Sequence, residues 1–299
     1  MTERLYNPLV TFLAPCYNYG RYLETCVASM LTQTYRRFEV LILDDCSTDN
    51  TRQVSLDLAC RDTRVRYYRQ KANVGHLANY NSGLDQASGQ LIWLISADDC
   101  LASPTALADL VAPFAEYDDI AYAFCRAQIM DEKGRPQEQT LPRHDAAGLP
   151  ATPQPINGQD FFIQLIQGNG VASPAVIARK SCYERYGKFH PALTHSGDWY
   201  NWLAFALRGH VFFDPAAKVY YRKHASNMHR TYDVPAHARD NTLLCYEEIE
   251  KLLVSEAMPG RLRWAARLAK IRYRRRQGLP LTAAESALRV SAKILEPFF

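Results

Sequence analysis

Short strand-like runs alternating with segments of helical period constrain this chain more than any other feature. Val10–Ala14, Phe38–Leu43, Val65–Arg69, Leu91–Ile95 and Ile120–Phe124 read as strands. Between them, Tyr22–Leu31, Thr51–Ala59, His76–Ala87 and Thr105–Ala115 read as helices. Regular alternation predicts an α/β fold, with a mostly parallel, Rossmann-like sheet and helices on both faces. Strands covered on both faces are continuously apolar, which most of these runs are.

The second half is less regular. Asp131–Pro155 holds five prolines and two glycines and predicts a long loop or a mobile segment. Beyond it the pattern predicts a helix over Gln159–Gln167 and strands at Ala175–Ala178, His210–Asp214 and Lys218–Tyr221. Helices follow over Asp198–Leu207, Arg239–Val254, Arg261–Arg276 and Thr282–Leu295. The division expected is 1–128, a connecting segment 129–158, a second half 159–234, and a C-terminal helical extension 235–299.

Composition decides partners and location. The net charge of +4 is uneven: residues 261–299 carry eight Arg and two Lys against two Glu, a net +8, leaving −4 for the rest. An acidic body argues against nucleic acid, which selects basic domains. The tail interleaves Leu262, Trp264, Ala265, Leu268 and Ile271 with arginines. That pattern suits an anionic membrane surface or an ordinary packed helix with a charged outer face. No run approaches the roughly 20 apolar residues of a membrane span, and Met1–Pro8 has no leader character. The expected location is cytoplasmic, with the inner face of the plasma membrane as a peripheral site. Eight cysteines without a Cys-x-x-Cys pair fit reduced thiols.

Acidic residues recur just past the strands: Asp44-Asp45 after Phe38–Leu43 and Asp98-Asp99 after Leu91–Ile95. In an open parallel sheet, ligands bind beyond the carboxyl ends of strands. Adjacent carboxylates there repel unless a cation is bound, and a divalent metal carrying a phosphate-containing ligand fits them. The competing reading is that Ser47 and Asp49 cap a helix and Asp98-Asp99 opens a loop. The chain lacks the glycine signature of a dinucleotide fold and the Gly-Lys-Ser/Thr of a P-loop. Cys46, two positions after Asp44, breaks the acidic repeat of a dehalogenase-type phosphatase.

Val10–Asn18, Ser29–Tyr35, Asp44–Asp49, Asn73-Val74-Gly75, Asn81–Leu84, Ala87-Ser88-Gly89 and Ser96–Asp99 occur in an order that resembles the family 2 glycosyltransferases. His195–Trp199 and Tyr221–His224 resemble that family's acceptor-side motifs. The resemblance implies a GT-A fold, a nucleotide-sugar donor with UDP favoured over dTDP, Mn2+ or Mg2+, and inversion at the anomeric carbon. The acceptor it implies is a glycan or lipid-linked hydroxyl, as in bacterial surface polysaccharide synthesis. By the same resemblance Asp198 is the catalytic base. Pro15, Tyr17, Asn18, Asp45, Asn73, Asn81, Asp98 and His224 are donor-binding, with Tyr17 packing on the base and Asp45 accepting from its ring. Asp99 is the first choice for the metal, with Asp98 and His224. Three departures stand out: Ser96 where the family often has an acid, Gly197 where it often has Glu, and Tyr80 where many members are basic.

Several residues keep a second reading. Asp198 opens a helix, where an acid also serves the dipole. The tryptophans of that helix follow core spacing, with Trp199 open to either role. His224 lies in a basic segment with Arg222, Lys223, His229 and Arg230 that is either a solvated face or a diphosphate site. His76 suits a phosphate at a helix start or a polar surface. Rival functions are a nucleotidyltransferase, which would need a Gly/Arg/Lys-rich first loop, a silent sugar-nucleotide-binding module, and a membrane-peripheral scaffold.

Overall fold

The computed structural model describes residues 7–142, 148–227, 234–283, 285 and 286. Strands β1 (Val10–Cys16), β2 (Phe38–Asp44), β3 (Val65–Arg69) and β4 (Leu91–Leu94) pair in parallel in the order β3-β2-β1-β4. Helices α1 (Gly20–Leu31), α2 (Thr51–Arg61) and α3 (His76–Gln86) make the crossovers. Successive β1 residues point to opposite faces, so Phe12 packs in one core with α1 and Leu13 in the other with α3. Both faces are sealed, which is why the run is apolar apart from Thr11, whose buried hydroxyl donates to Glu39.

Beyond a short β5 (Cys100–Leu101), α4 (Ala106–Val111) and α5 (Pro113–Glu116), the sheet continues through β6 (Ile120–Met130), β7 (Pro136–Leu141) and β8 (Gln154–Asn157). It is completed by β9 (Val176–Arg179) and β10 (His210–Arg222). β9 enters antiparallel between β4 and β6, and β10 runs parallel to β6. Helices α6 (Gly158–Leu165), α7 (Lys180–Tyr186) and α8 (Gly197–Ala206) cover one face, joined by α9 (Pro235–Ser255) and α10 (Gly260–Arg276).

Three expectations need correction. The expected loop over 131–155 contains β7 and part of β8, which pair antiparallel with β6 and β10. β7 is Pro-Gln-Glu-Gln-Thr-Leu and mostly exposed, so an edge strand hid as a polar stretch. β6 runs past Phe124 because buried Arg126 donates to the Pro142 carbonyl (2.7 Å) and lies over the Phe213 ring. The two strands expected at 210–214 and 218–221 are one, with a register shift where Pro215 interrupts it and Asp214 accepts from the Ala216 amide. The expected helix Thr282–Leu295 lies largely outside the described residues, as do His229 and Arg230.

α10 buries Leu262, Ala266, Ala269 and Ile271 against α6 and α9, while Arg263, Arg267, Arg275 and Arg276 face outward. The centre of its apolar stripe is packed, and Trp264 and Leu268 at its edges are half-buried. No helix among the described residues is long and apolar enough to cross a membrane.

The loops at the carboxyl ends of β1 and β2 are locked together. Asn18 (φ 58°) and Cys46 (φ 63°) both adopt left-handed backbone, which costs energy that the surroundings must offset. Asn18 Oδ1 accepts from the Thr48 amide (2.8 Å), and Ser47 Oγ accepts from the Asn18 amide (2.9 Å). Asp49 accepts from the first amides of both α1 (Gly20, 3.0 Å) and α2 (Thr51, 3.0 Å). The competing capping role is therefore real for Asp49. A side chain at Gly20 would strike Asn50 and the Thr51 amide, so only glycine lets the two helix starts share one acid. Partial burial pushes the Asp49 carboxyl up, but hydrogen bonds from Thr51 and Gly20 prevail and hold it below 3.8. A depressed pKa means that its stabilisation is present above that value and is lost as pH falls through the folded pKa. Asp49→Ala should cost about 1–3 kcal/mol in urea unfolding near neutral pH, as two lost caps imply. The deficit should shrink toward about pH 3; a pH-independent deficit would point to packing instead.

Candidate functional site

A cavity of about 730 Å³ opens where the carboxyl ends of β1, β2 and β4 face the α8 start. Pro15, Tyr17, Asn18, Asp45, Asn73, Asp98, Asp99 and Asp198 all line it. Asn81 and His224 do not.

The β2 side is organised by acids that serve different ends. Asp44 is fully buried and accepts from Tyr67 Oη (2.7 Å), the Ser47 amide (2.7 Å) and Arg69 Nη1 (2.8 Å). The first carboxylate pair therefore needs no metal, because Arg69 from β3 supplies the cation. Sequence reading missed Arg69, since nothing local marks which arginine a strand-end acid will meet. Asp45 accepts from the amides of Val74 (2.8 Å) and Gly75 (3.0 Å), holding the turn before α3 against β2. Gly75 has φ 83°, a conformation suited to glycine, and Asn73 Oδ1 takes a longer contact from its amide (3.3 Å). Tyr17 is 45% exposed on the rim, where an aromatic face is open to a flat ligand.

The second acidic pair is built differently. Asp98 Oδ2 receives His224 Nε2 and Asn227 Nδ2, each at 3.0 Å, and Arg222 Nε donates to the Asp98 carbonyl (2.7 Å). Asp99 Oδ1 accepts from the Arg222 amide (2.8 Å). The end of β10 thus straps the acid pair. Asp98 Oδ1 is buried and has no hydrogen-bond partner among the described residues, a costly state that a bound cation would relieve. Burial first, and the Asp98 charge second, push the Asp99 carboxyl well up; both forces favour a positive ligand there.

His224 corrects an expectation. Its side chain is fully buried, Nε2 faces Asp98 and Nδ1 faces Ser226 Oγ (3.0 Å). It holds Asp98, and the reading of this segment as a solvated basic face fails for it and for buried Arg222. Among the described residues, no cluster of three His, Cys, Asp or Glu forms a ready-made metal cage. Asn227, which sequence reading missed, is the amide that fixes Asp98 from below the strap.

Asn81 is the second correction. Its carboxamide is spent on both backbone groups of Phe189: Nδ2 donates to the carbonyl (2.8 Å), and Oδ1 accepts from the amide (2.9 Å). It staples α3 to the loop leading toward α8, away from the cavity. His76 does similar work, with Nε2 3.1 Å from the Thr194 carbonyl, and burial pushes its pKa down to about 4. Neutral His76 offers no charge to a phosphate at physiological pH.

Asp198 sits in the first turn of α8, half-buried in the cavity wall, and accepts from the Trp199 amide (2.7 Å) and weakly from Asn169 Nδ2 (3.4 Å). The loop before it is fixed from α9, where Asn241 Oδ1 accepts the amides of His195 and Ser196 (3.0 Å each). Trp199 is core: its Nε1 donates to the Leu165 carbonyl (2.9 Å) and its ring meets Tyr246 edge-on. Asn169 and Asn241 were not legible beforehand, because each acts across tens of residues.

Desolvation pushes the Asp198 carboxyl up to about 6 despite those hydrogen bonds. The folded pKa exceeds the unfolded 3.8, so the group contributes stability at low pH that is lost as pH rises through about 6. Asp198→Asn should therefore be more stable than the parent at about pH 8, by on the order of 2 kcal/mol. The two should converge near about pH 4. Urea unfolding at both pH values checks this; an equal difference at both would contradict the desolvated carboxylate.

Likeness to known proteins bears on the family and the fold. Residues 11–185 match the family described as glycosyl transferase family 2. A Bacillus subtilis glycosyltransferase provisionally assigned to teichuronic acid biosynthesis, TuaG, is 29% identical over 136 residues, covering 46% of this chain and 53% of that protein. The structure of S. aureus TarS residues 1–349 with UDP-GlcNAc superposes with a TM-score of 0.62 at 21% identity, over 80% of this chain and 66% of that one. The mannosyltransferase PcManGT from Pyrobaculum calidifontis, in complex with GDP-Man and Mn2+, gives 0.59 at 16% identity over 98% and 81%. At those identities the structures speak for the fold alone.

Proposed function

The chain belongs to glycosyl transferase family 2, and from that premise we propose that it moves a sugar, with inversion, from a nucleotide-sugar donor to an acceptor hydroxyl. The observation that carries this reading is one cavity lined by both the strapped acid pair Asp98-Asp99 and the raised-pKa carboxylate Asp198. Residues 1–128 then serve the donor and 159–234 the acceptor side. Within 129–158, β7 and β8 add sheet to the core, and within 235–299, α9 buttresses the Asp198 loop through Asn241.

UDP is the favoured nucleotide, since TarS is seen with UDP-GlcNAc. In this reading Tyr17 packs on the base at the rim, with Pro15 beneath. Asp45 uses the lone pairs left by its two amide bonds to accept from the base ring. Asn18 and Asn73 act indirectly, by shaping the two loops. Asp98 Oδ1 and Asp99 fit Mn2+ or Mg2+, which would neutralise charge on the departing diphosphate. Asp198 takes the proton from the acceptor hydroxyl, and the freed oxygen attacks the anomeric carbon on the side opposite the diphosphate. A carboxyl at about 6 is a stronger base than an ordinary aspartate yet remains mostly ionised at neutral pH. The acceptor proposed is a glycan or lipid-linked hydroxyl of a surface polymer, in keeping with the TuaG likeness.

One assay with two variants tests the chemistry. Asp198→Asn should lower transfer by about 10²–10⁴-fold with UDP affinity within about twofold of the parent, as loss of a general base implies. Asp98→Asn should lose manganese-dependent UDP binding. Weakened UDP binding in Asp198→Asn, or unchanged metal dependence in Asp98→Asn, would reverse the division of labour.

The outward arginines of α10 are the contact proposed for an anionic membrane, through headgroup electrostatics and not insertion, because the centre of the apolar stripe is packed. Each basic residue near such a surface contributes about 1 kcal/mol. Replacing Arg263, Arg267, Arg275 and Arg276 together by Gln should cut co-sedimentation with phosphatidylglycerol vesicles at low salt by at least about tenfold. Equal sedimentation of parent and variant would remove the membrane from the account.

A further inference from the structure

Tyr80 is a large polar side chain in the catalytic cavity whose hydroxyl no described residue engages. It lies on α3 and is 8% exposed, with its ring wedged edge-on between Phe189 (5.3 Å) and His76 (5.5 Å). That packing fixes the ring, so the hydroxyl position is set in advance. The ring lines the cavity together with Asp98, Asp99 and Asp198. Its hydroxyl lies within electrostatic reach of all three carboxylates and of Tyr19. Burial raises its pKa well above 10, so it is a neutral hydroxyl able both to donate and to accept.

A hydroxyl held rigidly at a cavity wall, with no partner among the described residues, is open to water until a ligand supplies the hydrogen bond. The location narrows that ligand. Asp98-Asp99 mark the departing diphosphate and Asp198 marks the incoming hydroxyl, so a group near both faces what lies between them: the ring of the sugar in transit. A cation at this position would reach for phosphate. A neutral phenol is matched instead to a sugar hydroxyl, giving one hydrogen bond and taking another.

Resting on the function proposed above, we infer that Tyr80 is a specificity-determining residue whose hydroxyl hydrogen-bonds a ring hydroxyl of the transferred sugar. A site built to pair with a substrate hydroxyl discriminates strongly against sugars that misplace it, because the protein group is then left buried and unpaired.

Tyr80→Phe tests this cleanly, since it keeps the ring packing and removes an atom that no described residue engages. The full-length protein would be assayed with UDP-glucose, UDP-galactose, UDP-N-acetylglucosamine and UDP-N-acetylgalactosamine, following UDP release with manganese present. UDP itself would be titrated by calorimetry. The parent should prefer one sugar, and the variant should lose about tenfold or more in kcat/KM for that sugar. It should lose much less for the others, so that their ratio collapses. Its UDP affinity should stay within about twofold and its thermal midpoint should stay close to that of the parent, since no described residue loses a hydrogen bond. Undiminished preference in Tyr80→Phe would overturn the inference. So would an equal fall in UDP affinity and turnover, which would put the hydroxyl on the diphosphate. If the parent binds and releases UDP from none of the four sugars, it is the UDP-sugar transferase reading itself that fails, which is a separate outcome.

Discussion

The cavity depends on one carboxylate being held from a distance. Asp98 follows β4, yet the groups that fix its Oδ2 come from the end of β10, more than 120 residues later. His224 and Asn227 occupy one oxygen, Arg222 ties the Asp98 carbonyl and the Asp99 carboxylate, and the other Asp98 oxygen has no partner among the described residues. An acid buried this way is costly. The chain accepts the cost by surrounding it with donors on one side only. The same contacts pull the ends of β4 and β10 together, so the halves of the sheet cannot separate without exposing the pair.

The remaining acids show how one residue type serves several physical ends on a single sheet edge. Asp44 is neutralised by Arg69, Asp45 is a bracket for two amides, Asp49 caps two helices, and Asp198 is desolvated enough to be basic. What separates them is the balance of donors around each. Asp44 and Asp49, each with several protein donors, hold the loops, while Asp45 holds a turn and also lines the cavity. Asp98, Asp99 and Asp198, with incomplete sets or raised pKa values, face the cavity. Tyr80 belongs with them for the same reason.

Much of the fold was legible because apolar continuity reports two-sided burial directly. The first four strands and three helices sit within two residues of their expected places, and the strand-end acids were found because they follow strands. Legibility failed where partners are distant. Asn81 shares a motif with site residues, but its direction is decided by Phe189, on a loop the sequence does not connect to it. Asn227, Asn241 and Asn169 are amides of ordinary composition whose meaning lies in what they reach. β7 was lost because a polar edge strand carries no apolar signature, and β10 was split because one proline makes a bulge look like a boundary.

The central claim is that a single base faces a sugar whose leaving group is held at the acidic pair, which commits the reaction to one displacement. The most direct test is the configuration of the first sugar released when water replaces the acceptor. Incubation with an α-linked UDP-hexose and manganese, followed by proton NMR before mutarotation, reads that configuration from the anomeric coupling. The β-anomer should appear first. Initial release of the α-anomer would require two displacements or front-side attack, and would contradict the role given to Asp198.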